Sequence, residues 1–169
     1  MKFVLLLSLA LFGAGSCSPM DPSPQFAAHQ IMNVVEKSVQ TQDISSILYL
    51  LDQSFNYTMC GYEGNLLTFE GYLKVQMDSL VDLKFLVDYD NAYIEKNGDI
   101  YTLKFHVDTT ALYNDKSRVE GGAVVTAIKN KNGPIFYISN IHQQCRVTAK
   151  RHHRLYRLFT NENLYDYKK

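Results

Sequence analysis

The chain has 169 residues, 46% of them apolar, with seventeen Lys and Arg against seventeen Asp and Glu. That length fits one domain with its own hydrophobic core, and three cysteines are too few for a disulfide-dense miniature. The charge is uneven: residues 1–145 hold ten Lys and Arg against fifteen Asp and Glu, whereas residues 146–169 hold seven against two, an acidic body with a basic tail.

The start, MKFVLLLSLALFGAGSC, has one lysine, an apolar run from Phe3 to Phe12 and then small residues. This is the pattern of a secretory signal over residues 1–16, and the run is too short to span a bilayer. Cleavage after Ser16 leaves Cys17 as the mature N-terminus. A lipoprotein signal competes for the same cysteine, although Ala14 stands where that signal places a branched apolar residue. No later run approaches spanning length, so the expected address is extracellular with no transmembrane segment. A secreted, acidic body argues against nucleic acid as a partner.

Residues 17–25, with prolines at 19, 22 and 24, predict an extended leader. From Phe26 the apolar positions Ala28, Ile31, Met32, Val35 and Val39 recur at helical spacing. Asp43 then caps a short second helix carrying Ile44, Ile47, Leu48 and Leu51. SFNYTMC, residues 54–60, reads as a strand and GYEGN, residues 61–65, as a turn. Thr68 is the expected cap of a third helix bearing Phe69, Tyr72, Leu73, Met77 and Leu80.

Val81 to Gln144 reads as strands. In DIYTLKFHVDTT, Tyr101, Leu103, Phe105 and Val107 fall on one face and Thr102, Lys104, His106 and Asp108 on the other. Gly121 and Gly122 predict a bulge or a close approach. KNKNGP is a hairpin turn before the strand IFYISNIHQQ, on which His142 falls with Phe136, Ile138 and Asn140.

Three helices followed by a meander of long strands, with one short strand between helices two and three, is an α+β pattern. It resembles the nuclear transport factor 2-like (SnoaL-like) superfamily, including its small secreted single-domain members from nematodes. The segments that carry the likeness are LLDQSFNYTMCGYEG, TFEGYLKVQ, YTLKFHV, AVVTAIK and FYISNIHQQ, within a domain over residues 26–145. A cystatin is the nearest alternative of this size, but its Gln-Val-Val-Ala-Gly-type loop is missing from the sequence. The resemblance implies three helices on a strongly curved, mainly antiparallel sheet, with a pocket between them.

Ketosteroid isomerases of that superfamily place a proton-abstracting carboxylate at the end of the first short strand. Here that strand ends Thr58, Met59, Cys60, Gly61, with no acid in the matching place. The scytalone dehydratase-like alternative pairs a His with an Asp, for which His29, His106, His142, Asp82 and Asp108 are available. His106 and Asp108 share the polar strand face, which is ordinarily a solvent face. No metal-ligand spacing occurs, and no cofactor is implied.

The expectation is therefore a binding module for a small apolar molecule or a protein, with Tyr57, Tyr72, Tyr101, Phe105, Tyr137 and His142 as candidate pocket residues. A dehydratase or isomerase is the alternative. A homodimer through the sheet is a third possibility, and a peptide released after Lys150-Arg151 a fourth. The resemblance also brings the first strand beside the last, which suggests a Cys60–Cys145 disulfide. Closing that loop contributes roughly 4–5 kcal/mol on the chain-entropy model. Asn56-Tyr57-Thr58 is a glycosylation sequon if Asn56 stands on an exposed edge or face.

Overall fold

The computed structural model describes residues 22–59 and 61–147, the last three as backbone only. The signal, most of the leader, Cys60, the Cys145 side chain and the tail beyond residue 147 lie outside the described residues.

Helix α1 spans Pro24–Thr41, α2 Ile44–Tyr49 and α3 Leu66–Ser79. The strands are β1 Leu51–Met59, β2 Tyr62–Asn65, β3 Leu80–Asn97, β4 Ile100–Tyr113, β5 Arg118–Asn130 and β6 Tyr137–Val147. They form one sheet in the order β2-β1-β6-β5-β4-β3, antiparallel throughout except where β1 runs parallel to β6. The helices pack on its concave face, so the molecule is the expected α+β cone.

Local chemistry explains each departure from the sequence reading. Helix α1 takes in Pro24 because proline suits the first helical position, where its missing N–H has no bond to lose, and Ser23 caps it by accepting from the Phe26 amide. Asp43 caps α2 as expected, accepting from the Ser46 amide and hydroxyl, and these bonds hold its carboxyl below the usual range. Leu51 opens β1 instead of extending α2. GYEGN is not merely a turn: Tyr62–Asn65 folds back on β1 in antiparallel register, Tyr57 facing Gly64. Asn65 is then the cap of α3, and Thr68 completes a reciprocal capping box by accepting from the Asn65 amide at 3.0 Å. Gly64 is required by close approach, since a Cβ there would stand 2.7 Å from the Tyr57 ring.

The expected bulge at Gly121 and Gly122 is absent, because both pair without a break with Thr109 and Asp108 of β4. Close approach is the reason for Gly122: a Cβ would sit 3.0 Å from the Asp108 carboxylate. On the other side of β5 an irregularity lies on β6, where Ile138 pairs with Ala127 and Asn140 with Thr126, leaving Ser139 as an extra residue.

Candidate functional site

The concave face of β4 carries Tyr101, Leu103, Phe105, Val107, Thr109, Ala111 and Tyr113 in turn. Large side chains fill the first half, where Leu103 and Phe105 retain no exposed surface and Phe55 only 2%. In the second half Ala111 of β4 and Ala123 of β5 stand on the same face, with Gly121 opposite Thr109. Too few side-chain atoms remain there to fill the space under the helices, and a cavity of about 200 Å³ results. Ile31, Met32 and Val35 of α1 and Phe69, Tyr72 and Met77 of α3 close it from the helical side.

A few polar groups interrupt this apolar wall. The Tyr113 hydroxyl donates to Gln76 Oε1 at 2.7 Å, a buried bond between β4 and α3. Gln143 Nε2 donates to the Thr109 hydroxyl at 2.8 Å, and that hydroxyl donates to the Gly121 carbonyl at 3.1 Å. Tyr62 and Tyr72 add two further phenols. Burial pushes the Tyr72 hydroxyl far above the ordinary phenol range, and the neighbouring Tyr113, Tyr57 and Tyr62 add to the shift, so Tyr72 stays a neutral O–H at any physiological pH. Among the described residues that line the cavity there is no Asp, Glu, His, Lys or Arg. No group of three His, Cys, Asp or Glu among the described residues could hold a metal ion.

The six candidate pocket residues separate. Tyr72 lines the cavity. Tyr57 stands behind it, with ring centroids 5.0 Å from Phe69 and 5.9 Å from Tyr72, in a cluster that Phe55 extends. Phe105 is packed solid in the filled half. Tyr101 faces inward at the far end of the sheet, where the ammonium groups of Lys96 and Lys129 lie 4.7 and 5.4 Å from its ring centre. It lines a separate recess there with Pro22, Ser23 and Pro24.

Tyr137 and His142 are corrections to the sequence reading. Tyr137 pairs with Ile128 and His142 with Val124, so both belong to the convex face and are exposed. For His142 the extra residue at Ser139 is the cause: it reverses the inside–outside alternation, so His142 no longer shares a face with Ile138, whereas Tyr137 precedes it and simply alternates outward between buried Phe136 and Ile138. Ile141 and Gln143 face the cavity in its place. His106 and Asp108 are exposed on the same convex face, as their polar strand pattern predicts. His29 lies on α1, exposed and stacked on Tyr89 at 3.6 Å. Exposed Leu86, Tyr93, Ile100 and Leu112 are interspersed with polar groups on the convex side of the sheet.

Gln76, Gln143, Thr109, Tyr113 and Tyr62 were not legible as site residues. Only Gln76 carried a signal, a polar residue at helical spacing from Phe69, Tyr72 and Leu73 on an otherwise apolar stripe. The strand pairing that leads toward the cysteines is clear in the backbone: β1 runs parallel to β6 with Met59 opposite Gln143. Asn56 is exposed on β1, where its side-chain oxygen accepts from the Asn140 amide.

No family model and no curated protein matches this sequence. Solved structures do. A protein of Novosphingobium aromaticivorans proposed to be an aromatic ring hydroxylase is 12% identical, with TM-score 0.59 over 74% of this chain and 93% of its own. A proposed scytalone dehydratase from the same organism gives 9% identity and TM-score 0.57, covering 72% and 83%. A proposed dehydratase of the NTF2-like family from Streptomyces avermitilis gives 9% and 0.53, covering 72% and 95%. Identity this low speaks to architecture alone. Three helices on a curled six-stranded sheet, with its cavity between the two, are the nuclear transport factor 2-like cone fold.

Proposed function

We propose that this chain is an extracellular binding module that holds a small, uncharged, largely apolar molecule inside its cone, and that it is not an enzyme. The observation that carries the reading is the cavity wall itself. It is apolar apart from a few phenols, amides and one threonine, the usual make-up of a small-molecule site. Among its described residues no carboxylate or imidazole stands ready to move a proton. The signal-like first sixteen residues support the extracellular address. A Cys60–Cys145 disulfide belongs to the same reading, supported by the parallel pairing that sets Met59 beside Gln143. Peptide mapping before and after reduction would find the two cysteines linked; free alkylation of Cys60 without reduction would remove the staple.

Calorimetric titration of the folded protein with 1-naphthol tests the cavity. Binding is expected with a negative heat-capacity change, the mark of buried apolar surface. Ala123→Leu fills the space from the sheet side and is expected to weaken binding more than tenfold while the fold is retained. Equal binding by the filled variant would place the ligand elsewhere and end this reading. The dehydratases among the structural neighbours keep an enzymatic reading open to test. It would need a base from outside the described lining, because His106 and His142 face away from the cavity.

A further inference from the structure

Both buried amides of the cavity are only half used. Gln76 is 9% exposed and Gln143 8% exposed, and both line the cavity. Gln76 Oε1 is occupied by the Tyr113 hydroxyl, and Gln143 Nε2 by the Thr109 hydroxyl. Among the described residues, no hydrogen bond is made by Gln76 Nε2 or by Gln143 Oε1. Both side chains line the cavity, Gln76 from α3 and Gln143 from β6, so their unused donor and acceptor are available to a molecule held inside it. Their anchors, Tyr113 and Thr109, lie four residues apart on one face of β4, with Ala111 between them. The two unused groups are thus fixed from separate points of the same wall.

Resting on the cavity as a ligand site, the geometry points to the class of ligand: a neutral one- or two-ring molecule bearing a carbonyl oxygen and a hydroxyl. The carbonyl accepts from Gln76 Nε2, and the hydroxyl donates to Gln143 Oε1. An apolar cavity of roughly 150 Å³ takes benzene, so the present one of about 200 Å³ takes a substituted ring or a compact bicycle. A carboxylate or ammonium ligand is disfavoured, since no charged side chain among the described lining would offset its desolvation.

The test is a calorimetric series on the folded protein with para-hydroxyacetophenone, acetophenone, para-ethylphenol, ethylbenzene and para-hydroxybenzoate. Each matched polar group should tighten binding by about threefold to tenfold. Para-hydroxyacetophenone is then tightest, ethylbenzene the weakest neutral probe, and the benzoate does not bind. Gln76→Met should cost acetophenone that factor and spare para-ethylphenol, while Gln143→Met does the reverse. If ethylbenzene binds as well as the hydroxyketone, or the benzoate binds best, the ligand class is wrong although the cavity still binds. If no neutral probe binds, the cavity reading itself falls. The series on the unaltered protein decides the matter even where a variant fails to fold.

Discussion

The two ends of the cone are built from the same strands and do opposite things. At one end Leu103, Phe105 and Phe55 pack with almost no exposed surface. At the other, Ala111 and Ala123 present only methyl groups beneath the helices and leave about 200 Å³ unfilled. The contrast puts a packed core and an open cavity on different stretches of β4, separated by only a few residues. Space in a core costs stability, and the cavity under the helices lies at the Ala111 end of the sheet.

The strongest test of the contrast is a pair of opposite substitutions. Phe105→Ala should lose about 3–5 kcal/mol, because it opens a void in a packed region. Ala111→Leu should change stability by less than about 1 kcal/mol, because it enters space already present. Urea denaturation measures both, and comparable losses would show that the two ends are equally tight. A smaller effect is expected at Gly64→Ala, where the new methyl meets the Tyr57 ring and the Thr68 hydroxyl. Overpacking there should cost about 1–3 kcal/mol and disturb the aromatic wall behind Tyr72. An unchanged denaturation midpoint would mean that β2 shifts freely.

Asn65→Ala removes the side-chain half of the α3 capping box and should cost about 1 kcal/mol. Thermal unfolding would register it, and naphthol affinity should stay near that of the parent because the cap is outside the cavity. The mildest effect concerns Tyr72. The folded protein holds its phenolic proton more tightly than the unfolded chain does. Its contribution is therefore complete below the unfolded value of about 10 and declines as pH rises above it. Tyr72→Phe should flatten that alkaline decline in a series of denaturation curves; an identical slope in both proteins would show that Tyr72 ionises freely.

Much of the fold could be read ahead because its signals are periodic. The stripe Ala28, Ile31, Met32, Val35 and the alternation along Tyr101 to Asp108 state which face is buried regardless of what covers it. The site was less readable. Tyr72, read from its place on an apolar helix face, lines the cavity, while His142 is turned to the outer face by one extra residue at Ser139 and Tyr137 alternates outward between buried Phe136 and Ile138. A bulge leaves no periodic trace in a strand of mixed composition, so every position beyond it is inverted in the reading. Alanines at 111 and 123 look like ordinary core filler until neighbouring strands bring them together.

The sequence by itself determined the helix stripes, the strand alternation, the α+β order and the cap at Asp43, because these depend on residues close along the chain. Tertiary structure alone decided which half of the sheet is hollow, which side of β6 faces inward, and that Gln76 meets Tyr113 and Gln143 meets Thr109 at the cavity. Those outcomes depend on register between strands distant in sequence. Register is set by the summed packing of a whole face and not by any one residue.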